Sequence, residues 1–494
     1  MAKAGGTDHP VSEATAKAAK PAALTPDLCV IGAGDRGIAL AAAAAAFGAP
    51  VVLVERQAAG GRQGALAAKA LVEAAARAQE ARETGRLGLQ LDAPQVSEAQ
   101  IHDHIRRALT VTAANQRPER LAALGIRLLR GEARFTGRGS LAVGDVAVKA
   151  RRFAIATGSR PERPALPGLA GLDRDLVLSE DDLPGLTRLP ERLCVLGGSG
   201  TAVALAQAFA RLGSAVALVC PAGILPEHDA EAALLLRQRL LREGVALHED
   251  SAIVQAEGRR GGLSLTVSGP DGGGTFPVSR LLVAGLRKPD IEALDLDLAG
   301  IRADSGGVIV DRSLRTANRR IFALGSCAGG AAAGSGSAAG DDHVGIVLRS
   351  VLFRRNGAVD PARSPRVAWC RPEVASLGDT GREARPGRVR VLRWPFAEVP
   401  AATAAGRTEG HVKVVTDRKG RLRGVTIVGD GAAELIAPWC LALKAGLAVT
   451  EMAEVPLPAL ALGDASRRAA LSFHAGATTS PGLRRLIGFL RRFG

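Results

Sequence analysis

The sequence predicts an α/β fold, with two Rossmann-like units followed by an α+β domain, and three observations predict it. The first is an apolar run, Leu28-Cys29-Val30-Ile31, leading into Gly32-Ala33-Gly34-Asp35-Arg36-Gly37, an alanine-rich segment, a second apolar run from Val51 to Val54, and Glu55. This is the order strand, glycine turn, helix, strand, acid. The second is that the order recurs from Leu193: a strand, the turn Gly197-Gly198-Ser199-Gly200, a helix from Ala202 to Leu212, and a strand from Val216 to Val219. The third is that strand patterns are followed by helix patterns from about Val367 onward, as in an α+β unit.

Each glycine of the first turn has a physical reason. Gly32 allows the tight turn, Gly34 lets a diphosphate approach the backbone, and Gly37 lets helix and strand pack closely. The helix start offers N–H groups and the positive end of its dipole to phosphates. Glu55 and the adjoining Arg56 lie where an adenosine ribose would be met. Two such units in one chain suggest two dinucleotide sites.

Further along, Gly60-Gly61 precedes a helix over about Ala65 to Arg82. A second helix is expected from Ala99 to Leu124, ending at Gly125. A short strand follows at 126–129, then a strand or hairpin at 141–148 and another strand at 152–156, the last running into Thr157-Gly158. Beyond the second glycine unit, Asp229 caps a helix reaching about Glu243, and strands are expected near 245–248, 251–256, 263–268 and 280–284. A strand at 320–324 leads to Gly325-Ser326. In the last domain, strands at 389–393, 411–416 and 424–428 accompany helices at 432–446 and 464–474.

Composition bounds the function. The chain has 494 residues, 47% of them hydrophobic and only 3% aromatic with no Tyr, and a net charge of +15. Its arginines are spread along the chain and seldom interleave with aromatics, which points to a basic solvated surface and away from nucleic-acid binding. The six cysteines lie far apart, without a CxxC, and His102 and His104 are not on one helix face, so no metal site is expected. Residues 1–26 read as a disordered tail without a signal-peptide core, and the apolar window 38–54 is broken by Gly48 and Pro50. A cytoplasmic protein is expected. Residues 483–493 form a basic amphipathic helix pattern. Packing of its apolar stripe on the protein is the favoured reading, and contact with an anionic membrane surface is the other.

From Asp27 onward the chain resembles the pyridine nucleotide-disulfide oxidoreductases, in particular those like mercuric reductase and dihydrolipoamide dehydrogenase. The resemblance is carried by Gly32-Ala33-Gly34 with Glu55, Ala156-Thr157-Gly158-Ser159, the turn at 197–200, Ala323-Leu324-Gly325, Pro372-Glu373-Val374-Ala375, and Gly410-His411-Val412-Lys413 through Glu434-Leu435-Ile436. It implies an FAD domain (27–160 and 285–355), an NAD(P)-type domain (161–284), and a dimerisation domain (360–480) that pairs two copies into a homodimer. Hydride would pass from NAD(P)H to FAD, and electrons onward to a cysteine pair.

The pattern then departs from the family. Gln63 and Ala65 match the redox cysteine positions, with about three residues missing between them, and only Lys69 remains of the Pro-Ser-Lys that follows. Ala459 stands at the proton carrier and Asp464 at its acid partner. In the second glycine loop Ser199 replaces a glycine, Ala204 replaces the family's acidic partner of Lys69, and Cys220-Pro221 replaces the charge that selects NAD or NADP. Ser326 replaces the aspartate that grips the ribityl chain, and Ser337-Ala338-Ala339-Gly340 stands at the flavin-facing loop. FAD is therefore the expected cofactor, with NAD(P)H weakened and dithiol chemistry excluded. The two function classes that remain are an oxidoreductase passing electrons from NAD(P)H through FAD to a small acceptor, and a catalytically inactive scaffold.

Overall fold

A computed structural model describes residues 23–56, 63–90, 92–270, 272–330, 340–379, 389–477 and 481–493. Gly60, Gly61 and the Ser337–Ala339 stretch lie outside the described residues, as does the tail through residue 22. Residues 23–26 do not belong to a loose tail, however. Leu24 bridges to Val148, accepting from Lys149 N at 2.7 Å and donating to Ala147 O at 2.9 Å.

The strand Leu28–Ile31 lies at the centre of a five-stranded parallel sheet, in the order Ile321–Ala323, Arg152–Ile155, Leu28–Ile31, Val51–Glu55, Ile126–Arg130. All four of its residues are buried, as the continuous apolar run requires of a strand covered on both faces. The helix Asp35–Ala46 covers one side and packs beside Gly340–Leu352. A second parallel sheet repeats the plan, in the order Ala246–Glu249, Ala215–Cys220, Arg192–Leu196, Arg280–Val283, Val177–Leu178.

The long helix Gln63–Glu83 follows the first sheet in sequence but shares a core with the second. Ala67, Ala68, Leu71 and Ala75 are buried with Ala202, Val203, Ala206 and Phe209 of the helix Gly200–Arg211. Small side chains on both surfaces let the backbones come close, which is the structural use of the alanine richness.

The last domain is built on a five-stranded antiparallel sheet, in the order Arg366–Ala368, Glu373–Gly378, Leu422–Gly429, His411–Asp417, Val389–Pro395. Helices close over it around the fully buried Trp439, whose Nε1 donates to Ser466 Oγ at 3.1 Å. A charged junction ties this sheet to the helix Ala230–Arg242. Lys413 Nζ donates to Asp229 Oδ2 at 2.7 Å and Glu231 Oε1 at 2.8 Å, and Arg393 also grips Glu231.

Several expectations change. The helix expected over 99–124 is two helices, Glu98–Ala113 and Pro118–Ala123, because Pro118 forces Arg117 into an extended conformation. The 432–446 helix is likewise split into Ala432–Leu435 and Ala437–Ala445. Strands at Ala133–Gly137, Gly274–Val278 and Glu373–Gly378 were not foreseen. The helix Pro481–Leu490, expected to pack its apolar stripe on the protein, buries none of its residues: every residue from 481 to 493 is exposed.

Candidate functional site

The first glycine turn is built so that side chains are sterically barred from it. Gly32 has φ +112°, and a Cβ there would lie 2.4 Å from the Ala156 carbonyl oxygen. A Cβ on Gly37 would lie 1.9 Å from the Gly32 oxygen. Gly34 precedes the helix in an extended conformation and no side chain caps it. The first-turn N–H groups are thus presented as phosphate donors are. Glu55 ends the neighbouring strand with its carboxylate largely shielded, Oε2 lying 3.9 Å from Arg130 Nε.

Three more stretches meet at the same edge of the sheet, beyond the carboxyl ends of its strands, where open α/β folds bind ligands. Gly158 has φ +75°, and Ser326 Oγ lies 3.8 Å from its Cβ position. Asp290 N donates to Gly158 O at 3.1 Å. The Asp290 carboxylate takes both terminal nitrogens of Arg56, at 3.2 and 2.7 Å, so Arg56 braces the wall of the cleft. Gly325 N donates to Nδ1 of the buried His343 at 3.1 Å, which holds the Gly325-Ser326 turn from beneath.

Arg36 is the residue that sequence reading passed over. Its Nη1 lies 2.9 Å, and its Cδ 3.2 Å, from the Cβ position of Gly325. The side chain therefore crosses from the glycine turn to the other wall, over the surface that the resemblance assigns to the ribityl chain. Asp35 beside it puts a carboxylate in the first helical turn, where it accepts from Gln116 at 3.2 Å.

At the redox position the helix Gln63–Glu83 begins with Gln63 and an exposed Ala65. A Cβ on Gly64 would lie 2.5 Å from Asp181 Oδ1 and 2.7 Å from Glu180 O, so the helix head is pressed onto that turn. Helix starts favour negative charge, and Asp181, held by Arg287 at 3.0 and 3.1 Å, supplies it where the family would have a thiolate. Glu180 is buried and accepts from Gly285 N at 2.5 Å, and burial pushes its carboxyl up. Lys69 pairs with Glu73 at 2.5 Å, and its Nζ sits 4.0 Å from the centre of the Trp369 ring. Glu73 thus takes the place of the missing partner at Ala204, one turn along the same helix.

The six thiols are elsewhere. Five are buried and Cys440 is partly so. Burial pushes Cys29, Cys194, Cys220 and Cys370 up to about 12, which leaves them protonated and unreactive. Ala459 is exposed and carries no proton. At Asp464, burial opposes ionisation, but hydrogen bonds from Arg468 and Arg467 outweigh it and hold the carboxyl below its usual range. No cluster of metal-ligating side chains occurs among the described residues.

The second glycine turn is closed by its own side chain. Ser199 Oγ accepts from Ala202 N at 3.2 Å, capping the helix whose N–H groups a diphosphate would need. The same Oγ lies 2.5 Å from the Cβ position of Gly285, and Gly197 has φ +132°. Cys220 ends its strand buried, with its thiol directed at Gly197 O at 3.3 Å, so the strand ends in a neutral side chain.

Two parallel sheets, each with a glycine turn, joined to an antiparallel domain, define an α/β protein with two Rossmann-like units, one with an open backbone turn and one capped. Family comparison places it further. Residues 26–344 match the model of the pyridine nucleotide-disulphide oxidoreductases, and residues 364–470 match the dimerisation domain of the same enzymes. The chain belongs to this family. It is 30% identical over 460 residues to a mercuric reductase of Streptomyces lividans, covering 90% of this chain and 96% of that one. It is 32% identical over 463 residues to a dihydrolipoyl dehydrogenase of Thermus scotoductus, covering 91% and 98%. Among solved structures it is similar to LpdA of Mycobacterium tuberculosis, with a TM-score of 0.80 and 23% identity over 90% of this chain and 99% of that one. It also resembles the HOCl-induced flavoprotein disulfide reductase RclA of Escherichia coli in its Cu(II) complex, with a TM-score of 0.78 and 23% identity over 90% and 99%. At that identity the likeness is one of fold.

Proposed function

We propose that this chain is an FAD-holding oxidoreductase of its family that works without a cysteine pair. The observation that carries the reading is the first glycine turn, where Gly32 and Gly37 are packed too tightly for any side chain and the helix start is uncapped. That backbone fits a diphosphate. Gly34 and the first-turn N–H groups would hold it, Glu55 would meet the ribose, and Thr157, Gly158, Gly325 and Ser326 would face the remainder of the molecule. FAD, when bound, supplies electron transfer to a small acceptor. The chain's own residues bind and shield, while the position of the missing thiols holds Gln63 and Ala65. NAD(P)H is the weaker part of the reading, because Ser199 occupies the helix start that the second dinucleotide needs. The apolar side chains of Leu441, Leu457, Leu460 and Leu471 are exposed on the last domain, which supports pairing of two copies through it.

A second reading, the inactive scaffold, is favoured by the lie of Arg36 across Gly325. One experiment separates the two. The purified protein is examined for visible flavin absorption, then mixed anaerobically with NADH, NADPH or dithionite. Flavin retained and bleached by dithionite supports the first reading, and bleaching by NADH or NADPH restores the nicotinamide role. A colourless protein that takes up no added FAD leaves the scaffold.

A further inference from the structure

The last helix, Pro481–Leu490, together with Arg491, Arg492 and Phe493, is exposed along its whole length. At 100° per residue, Leu483, Leu486, Ile487, Phe489, Leu490 and Phe493 fall within an arc of about 160°, and Arg484, Arg485, Arg491 and Arg492 within an opposite arc of about 120°. The structure leaves all six apolar side chains in water, between 38% and 75% exposed. Phe489 and Phe493 meet edge to face with centroids 5.0 Å apart, so the apolar arc ends in one continuous ridge. No Asp or Glu occurs after Asp464, whereas six arginines do.

We propose that this helix docks the protein onto an anionic lipid surface, lying in the interface with its apolar arc among the acyl chains and its arginines among the headgroups. Charge decides between this occupant and the others. A second copy packed apolar arc to apolar arc would cover the leucines but leave all eight arginines facing away from the contact, with no opposite charge to meet them. A protein groove would have to cover the leucines and also supply acids on both flanks. An anionic bilayer supplies both, since its interior accepts the apolar arc and its headgroups draw each nearby arginine. The arc is far too short to span: no described helix is long and apolar enough to cross a membrane. The guanidinium groups at the arc's margins, Arg485 and Arg491, have stems long enough to lie along the surface with their charge at headgroup depth.

The test is sedimentation of the full chain with vesicles of phosphatidylcholine alone or mixed with phosphatidylglycerol. Binding is expected to the anionic vesicles only, falling as salt is raised. Replacing all four arginines by Gln, or making Ile487→Glu with Leu490→Glu, should each weaken partitioning by about tenfold or more. Because the helix is exposed throughout, both variants should keep the wild-type unfolding curve, and that curve is measured alongside. Wild-type protein that ignores anionic vesicles overturns the proposal. So does partitioning untouched by both variants. A change of oligomeric mass in the glutamate variant, with no change in partitioning, would assign the helix to a contact between protein subunits. The readout is independent of flavin content.

Discussion

Replacing His228 by Gln should flatten the acid side of this protein's stability curve. His228 is buried where the second glycine unit meets the last domain, its Nδ1 3.0 Å from Oγ of the equally buried Ser376. Burial, aided by the positive charge of Arg366, lowers its pKa from 6.5 to about 4. Between those values the unfolded chain binds a proton that the folded chain refuses. Stability is therefore fully present above pH 6.5 and is lost as pH falls toward 4. At about 1.4 kcal/mol per unit, the displacement is worth about 3 kcal/mol, an order-of-magnitude figure. His411 is shifted in the same direction, with burial as the main cause, and steepens the fall. Glu231, held down to about 2 chiefly by its hydrogen bond from Arg393, acts only below pH 4.5, and its exposure to solvent screens the effect. The assay is urea unfolding of wild type and His228→Gln at a series of pH values from 8 to about 4, since the carboxylates dominate below that range. The variant starts less stable at neutral pH, having lost a well-packed ring, but its curve should fall less steeply below 6.5. Parallel curves would refute the argument, because they would show that His228 titrates alike in both states.

Other expectations follow from the same geometry. Gly37→Ala should abolish flavin retention, since its Cβ would stand 1.9 Å from the Gly32 oxygen and force the turn apart, and FAD release on gel filtration reads this directly. Arg36→Gly should tighten FAD binding about tenfold, equivalent to 1.4 kcal/mol, by clearing the surface of Gly325; flavin fluorescence quenching measures it, and weaker binding would mean that the guanidinium serves the diphosphate instead. Lys413→Met should destabilise by about 3 to 5 kcal/mol, because it leaves the Asp229 carboxylate buried without its partner, and adding Asp229→Asn should recover part of the loss in the same urea assay.

Both glycine units, the succession of strand, turn, helix and strand within each, and the absence of thiols at 63 and 65 were legible because they depend on short-range rules. A buried strand must be apolar, a turn against a carbonyl must be glycine, and a cysteine is either present or not. The splits at Pro118 and Pro438 were legible in principle from the proline alone, whereas the strand Glu373–Gly378 was hidden in a run whose pairing with Leu422–Gly429 spans a long stretch of chain. What only the tertiary structure decided are the contacts between segments distant in sequence. Arg36 lies on Gly325, Ser199 Oγ faces Gly285, Asp181 sits at the head of the helix Gln63–Glu83, and Lys69 exchanges a lost partner for Glu73 and Trp369. The last helix carried the same amphipathic pattern under either expectation. Its apolar arc stays exposed in the structure, and periodicity records which face is apolar but not what covers it.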